Sequence, residues 1–307
     1  MKPILFAWII LATVISFRVE AQTNQDRKNS LSKTLNRPRL SKVLVRNTVR
    51  IEAQTAKGSS IGTGFFYLFT PTATSLVPAI VTCRHVIEGA TNGSILFANL
   101  GEDKKTRTES RQTVFYPDFE KRWIKHPDGK TDLAILPIAG TMDQLKSNGF
   151  IMDLKTFSDN DLPLPEELTN ASVFTTIKMI GYPIGIWDSK NDLPVVRTGT
   201  TATDLAIDYE GEPKFLIDMA VFPGSSGSPI VFAEEGTASY GTSYMIVPDK
   251  LRLLGIVSQV CIFPASGGVQ IVPVPTSFDM TAHVGMPANL GIVIKSEKLH
   301  EFEALLH

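Results

Sequence analysis

From Val43 to about Ala139 the chain alternates short runs of β-branched and aromatic residues with turn residues: "TVRIEA", "GTGFFYLF", "AIVTC", "SILFANL", "QTVFY" and "LAILPI". Runs this short, bounded by Gly, Pro, Asn and Asp, read as strands. Residues 140–171 shift to a polar, Pro-containing composition and read as a linker able to hold a short helical piece. A second β-series follows over residues 172–295, with "ASVFTTIKMIGYP", "LPVVRTGTTAT", "KFLIDMAVF", "SPIVFA", "LRLLGIVSQV" and "ANLGIVI". Only "SEKLHEFEALLH", residues 296–307, carries helical spacing, with Leu299, Phe302, Leu305 and Leu306 on one face and Ser296 as N-cap. The pattern predicts an all-β protein: a β-barrel over 43–139, the linker, a second β-barrel over 172–295, and a C-terminal α-helix.

The N-terminus follows different rules. Lys2 precedes the apolar stretch Ile4 to Phe17, and Val19 and Ala21 are spaced for signal-peptidase cleavage, so residues 1–21 read as a secretory signal peptide. The stretch is short for a helix that must cross roughly 30 Å of hydrocarbon, so no stable membrane span is expected after cleavage. Residues 22–42 form a polar, basic leader with Asp26 as its one acid. The expected location is secreted or periplasmic. Across 307 residues, 43% hydrophobic and 20% charged, the formal net charge is −1, which argues against nucleic acid as a partner. Two cysteines, Cys83 and Cys261, exclude a disulfide framework, although a single bridge between them is permitted. The sequence leaves the oligomeric state open.

Polar residues interrupt the strands in a chemically suggestive way at three places. In "VTCRHVIEG" His85 follows an apolar strand, and in "KTDLAILPI" Asp132 stands at the mouth of one. In "FPGSSGSPIVF" three serines sit among glycines and a proline. Each alone has an ordinary structural explanation, since Gly, Ser and Pro populate turns and a single Asp commonly opens a strand. Together they supply what acyl transfer by serine requires: a hydroxyl, an imidazole to take its proton, a carboxylate to hold the imidazole, and backbone N–H donors for the oxyanion. The order His, Asp, Ser puts the first two in one β-unit and the serine in the other, so the site is expected between them.

With these motifs the sequence resembles the chymotrypsin-like (trypsin-fold) serine peptidases, in particular the bacterial branch that includes glutamyl endopeptidases. "VTCRHV" is similar to that family's histidine motif, "TDLAIL" to its aspartate motif and "GSSGSP" to its serine motif; "GTGFF" and "GYP" also match bacterial members. The resemblance implies two six-stranded antiparallel β-barrels and a secreted serine endopeptidase acting on polypeptides, without cofactor or metal. It assigns Ser226 as nucleophile, His85 as general base and then acid, Asp132 as the orienting carboxylate, and the backbone N–H groups of Gly224 and Ser226 as oxyanion hole. It also puts Ala220 at the floor of the substrate pocket, Ser258 near the buried carboxylate, and Val260 where open-pocket members have glycine. With no acid at 220 and a β-branched wall, a preference for small or medium apolar side chains is expected.

A nucleophile elbow of the α/β-hydrolase type is a poorer match. Its G-x-S-x-G pattern needs glycine where Ser228 stands, and although His283 could serve as the base, these β-runs are joined by turns and not helices. The remaining alternative is a non-catalytic binding protein on the trypsin-like fold.

Overall fold

In the strand Thr48–Thr55 (β1), Val49, Ile51 and Ala53 are buried while Glu52 and Gln54 face solvent, the period of two expected where one sheet face meets a core. The computed structural model describes residues 39–104, 106–240, 243–246, 249–269 and 280–306. The expected signal peptide and all but the last residues of the basic leader lie outside the described residues. The described part falls within one unit, Leu40–His307, apart from Arg39.

A short helix, Leu40–Leu44 (α1), leads into β1. β1 is followed by Gly58–Thr72 (β2), Ser75–Thr82 (β3), the helical turn Arg84–Ile87 (α2), Ala90–Leu100 (β4), Arg107–Pro117 (β5), Ile124–Lys125 (β6) and Ala134–Pro137 (β7). These form an antiparallel sheet in the order β5-β4-β1-β2-β3-β7-β6, and Ile151–Met152 (β8) adds to β4. Its outer strands, β5 and β6, are not paired with each other among the described residues, so the first unit is an eight-stranded sheet without the closure of the six-stranded barrel expected. The edge strand β6 is only two residues long, which leaves few backbone groups for a further pairing.

Between the sheets, residues 139–171 hold a helix, Ala139–Ser147 (α3), the strand β8, a 3-10 turn at Asp159–Asp161, and a helix, Pro165–Thr169 (α4). The second unit comprises Thr176–Gly181 (β9), Val195–Thr201 (β10), Lys214–Asp218 (β11), Pro229–Glu234 (β12), Thr237–Tyr240 (β13), Ser243–Ile246 (β14), Lys250–Val269 (β15) and Met280–Lys295 (β16). Six of these close a barrel in the order β10-β11-β16-β15-β12-β9, while β13 and β14 pair as a separate hairpin.

One apolar core fills the first sheet and continues through Val231, Leu253, Ile256 and Ile294 of the barrel; a second, with Ile177, Met179, Phe215, Ile217 and Val257, fills the barrel itself. The shared core packs the two sheets together. The C-terminal segment Ser296–Leu305 docks onto the first core through Leu299 and Phe302. It is a 3-10 helix and not the α-helix expected; Leu299 and Phe302, three residues apart, share the buried face that either helix type would give them. Leu305 is exposed. Both cysteines are free, Cys83 buried and Cys261 half-buried. No helix among the described residues is long and apolar enough to cross a membrane.

Candidate active site

His85 lies in α2, directly after β3 delivers the chain to the junction between the sheets, and Asp132 precedes β7, the strand paired with β3. That pairing brings the two side chains together. Asp132 Oδ2 lies 2.6 Å from His85 Nδ1, and its other oxygen accepts the His85 backbone N–H at 3.0 Å. The Ser258 hydroxyl, from β15, donates to Asp132 Oδ2 at 2.7 Å. Burial raises the Asp132 carboxyl, but the hydrogen bond and charge of His85 and the Ser258 hydroxyl outweigh it and hold the group below its ordinary value. An ionised Asp132 fixes the tautomer with Nδ1–H, which leaves Nε2 as the acceptor. The imidazole itself is exposed.

Ser226 reaches the same junction through its backbone. Its carbonyl accepts the Thr63 N–H at 2.9 Å, and the next amide, Gly227, donates to Val257 O at 2.8 Å, beside Ser258. No hydrogen bond joins Ser226 Oγ to His85 Nε2 among the described residues; such bonds are often long in the absence of substrate. The loop's amides divide sharply. Ser225 N–H is spent on Phe222 O, Gly227 on Val257 O and Ser228 on Ser225 O, whereas Gly224 and Ser226 N–H have no partner among the described residues. Those two are the donors assigned to an oxyanion.

Two glycines make this loop conformation accessible. Gly224 has φ 90° and Gly227 φ 85°, and a Cβ would stand 2.5 Å from Tyr182 O at the first and 2.0 Å from Thr63 O at the second. Ser225 and Ser228 are fully buried bystanders.

Sequence reasoning missed several supports. Thr63 Oγ1 donates to Gly224 O at 2.8 Å and accepts Tyr182 N–H at 3.1 Å, while Thr82 Oγ1 donates to Thr63 O at 2.7 Å. A threonine between the two glycines of "GTG" was the available signal. Ile184, at φ 54°, occupies the left-handed region that β-branched residues avoid, and its N–H donates to Pro223 O at 2.6 Å. Strain of this kind costs about 1–3 kcal/mol and clusters at functional loops.

The three pocket residues are placed separately. Ser258 joins the carboxylate as described, and Val260 packs against the barrel core. Ala220 O accepts a hydrogen bond at 2.7 Å from Arg197 Nη1, and the Arg197 guanidinium lies 4.9 Å from the Phe222 ring centroid. Arg197, on β10, was also not anticipated.

The donor atoms of Cys83, His85 and Asp132 lie within 4.8 Å of one another, a spacing that would suit a metal. Each already has a partner, because the Cys83 thiol donates to Val257 O at 3.1 Å and the other two bond each other. Burial first, and then the Asp132 charge, push the Cys83 thiol well up, so it stays protonated.

Fold and donor set meet in one class, the serine peptidases of the chymotrypsin fold. The chain belongs to the trypsin-like peptidase domain family, whose model matches residues 62–238, more than half of its length. Among solved structures, a variant of the HtrA-type protease AlgW with a tripeptide is 15% identical, with TM-score 0.45 over 86% of this chain and 61% of that one. A protease from M. tuberculosis in its active form is 13% identical, with TM-score 0.39 over 84% and 80% of the two chains. A thermostable serine protease from an extremophilic microorganism is 12% identical, with TM-score 0.42 over 86% and 98%. The chain thus spans about three fifths of the AlgW chain. No curated protein matches it.

Proposed function

We propose that the protein is a secreted or periplasmic serine endopeptidase that cleaves polypeptides through a His85-Asp132-Ser226 triad and an acyl-enzyme. The observation that carries this reading is the Asp132–His85 pair, made through both carboxylate oxygens and backed by Ser258. In the proposed cycle His85 Nε2 takes the Ser226 hydroxyl proton as Oγ attacks the substrate carbonyl carbon. The developing oxyanion is met by the unspent Gly224 and Ser226 N–H groups. Collapse breaks the C–N bond, His85 returns the proton to the leaving amine, and a water activated by the same imidazole releases the acid product.

Ser226→Ala, His85→Ala and the double variant test this. Each single variant lowers kcat about 10⁴-fold or more, and the double variant is little worse than either, because the groups act as a unit. Near wild-type turnover in any of them contradicts the assignment.

For the side chain before the scissile bond, the residues at 220 and 260 favour small or medium apolar groups. Arg197 supports a second reading, a carboxylate side chain, because its guanidinium stands at Ala220 with no acidic partner among the described residues. Comparing kcat/KM for peptides that differ only in Leu or Glu at that residue, in wild type and Arg197→Met, separates the two. An apolar pocket discriminates by a graded 1–3 kcal/mol or so, and the variant leaves that preference in place. A Glu preference that Arg197→Met abolishes establishes the second reading.

A further inference from the structure

Away from the catalytic junction, charge collects in one cavity. A cavity of about 650 Å³ lies between α1, β5 and the turn Asp188–Leu193, and its lining includes Lys42, Arg46, Arg107, Arg111 and Lys190, with Glu109 as the one acidic lining residue. Behind the lining, the guanidinium groups share two carboxylates. Arg46 makes two hydrogen bonds to Asp153, at 2.6 and 2.5 Å, and Arg107 Nε lies 3.1 Å from the same carboxylate. Arg107 and Arg111 both approach Asp192, at 3.9 and 3.7 Å.

The charges do not balance. Five cations face Asp153, Asp192, Glu109 and, beside Lys190, Asp188, which leaves one positive charge in excess. Lys42 and Lys190 are exposed and make no ion pair among the described residues. Burial pulls the Arg107 guanidinium below its ordinary value, and although Asp153 and Asp192 oppose this, the neighbouring Arg111 and Arg46 charges reinforce it. A network serving only to tie the turn to the sheet would gain nothing from this crowding. An anion in the cavity would relieve it.

We propose that this cavity binds a phosphate-bearing anion. The excess positive charge calls for an anion, and clustered guanidinium and ammonium donors suit the tetrahedral oxygens of a phosphate group. The group could belong to a free phosphate compound or to a phospholipid headgroup, since both present the same chemistry. The position has a structural consequence. Arg107 and Arg111 donate to Asn191 O, and Arg107 also to Asp192 O at 2.8 Å. From there the chain runs back through Trp187 to Ile184, whose N–H holds Pro223 O beside Gly224. A ligand at the arginines therefore steadies the segment on which the nucleophile loop rests.

The test is calorimetric titration of the purified protein with pyrophosphate, and separately with phosphatidylglycerol and phosphatidylcholine vesicles, in wild type and Lys42→Gln/Lys190→Gln. Neither lysine holds the network together, so the variant folds, and a thermal melt verifies this. The expected result is saturable binding of an anionic probe, weakened at least tenfold in the double variant and reduced by salt. Hydrogen exchange of the 184–193 amides should slow on binding in wild type. Pyrophosphate binding alone assigns a free phosphate compound, whereas phosphatidylglycerol binding without phosphatidylcholine binding assigns a headgroup. No saturable binding of either anionic probe, or equal affinity in the double variant, overturns the proposal. Binding with unchanged exchange in 184–193 overturns the link to the nucleophile loop.

Discussion

At the scale of single residues, chemistry singled out the candidate site. Proton transfer from a serine restricts the partners to a few residue types, and "VTCRHV", "TDLAIL" and "GSSGSP" carry those types in one order. Thr63 and Arg197 were not legible because their roles are hydrogen bonds to main-chain carbonyls, which depend on where the fold brings Gly224 and Ala220 and on no property of a threonine or arginine in its own segment. Gly224 links the readable and unreadable parts, since its φ of 90° leaves its amide unspent while Thr63 holds its carbonyl. Gly224→Ala forces a Cβ against Tyr182 O and displaces that amide. Loss of one oxyanion donor lowers kcat about 10²–10³-fold, with KM little changed, and steady-state kinetics on a short peptide ester measures both. A rise in KM of the same size with kcat unchanged would assign Gly224 to substrate binding instead.

At the scale of elements, strand existence followed from period-two burial, but closure did not. Whether β5 meets β6 depends on the register and length of edge strands, and nothing in "QTVFY" or "WIKHP" fixes either. The helix type at the C-terminus was misjudged because the pair that docks, Leu299 and Phe302, is three residues apart, a spacing common to both helix types. Between the sheets, α4 is tied to the barrel by Glu167, which accepts a hydrogen bond from Arg252 at 2.5 Å and lies 3.5 Å from Lys250. The Arg252 hydrogen bond is the main reason the Glu167 carboxyl is held down at about 2. Its folded value lies below its unfolded one, so its contribution to stability is present above about pH 4.5 and is lost as pH falls toward 2. Thermal melts between pH 7 and pH 2.5 should show a smaller acid-induced drop in Tm for Arg252→Gln than for wild type. Equal drops would mean that the pair does not couple to unfolding.

At the scale of the whole molecule, the proposed site residues come from opposite sides of a shared core: His85 and Asp132 from the first sheet, Ser226 and Ser258 from the barrel. That division was readable, because the two β-series are separated by a polar stretch and the histidine and serine motifs fall on either side of it. The bridging bonds were not, and they are what holds the halves in register: Thr63 N–H to Ser226 O, and the Cys83 thiol to Val257 O. The most direct measurement of the central claim is covalent labelling of the purified protein by a fluorophosphonate, with the modified peptide mapped by mass spectrometry. The account predicts one adduct, on Ser226, formed in wild type and absent from Ser226→Ala and strongly slowed in His85→Ala. A well-folded wild type left unlabelled between pH 6 and 9, or an adduct mapped to Ser225 or Ser228, would contradict it.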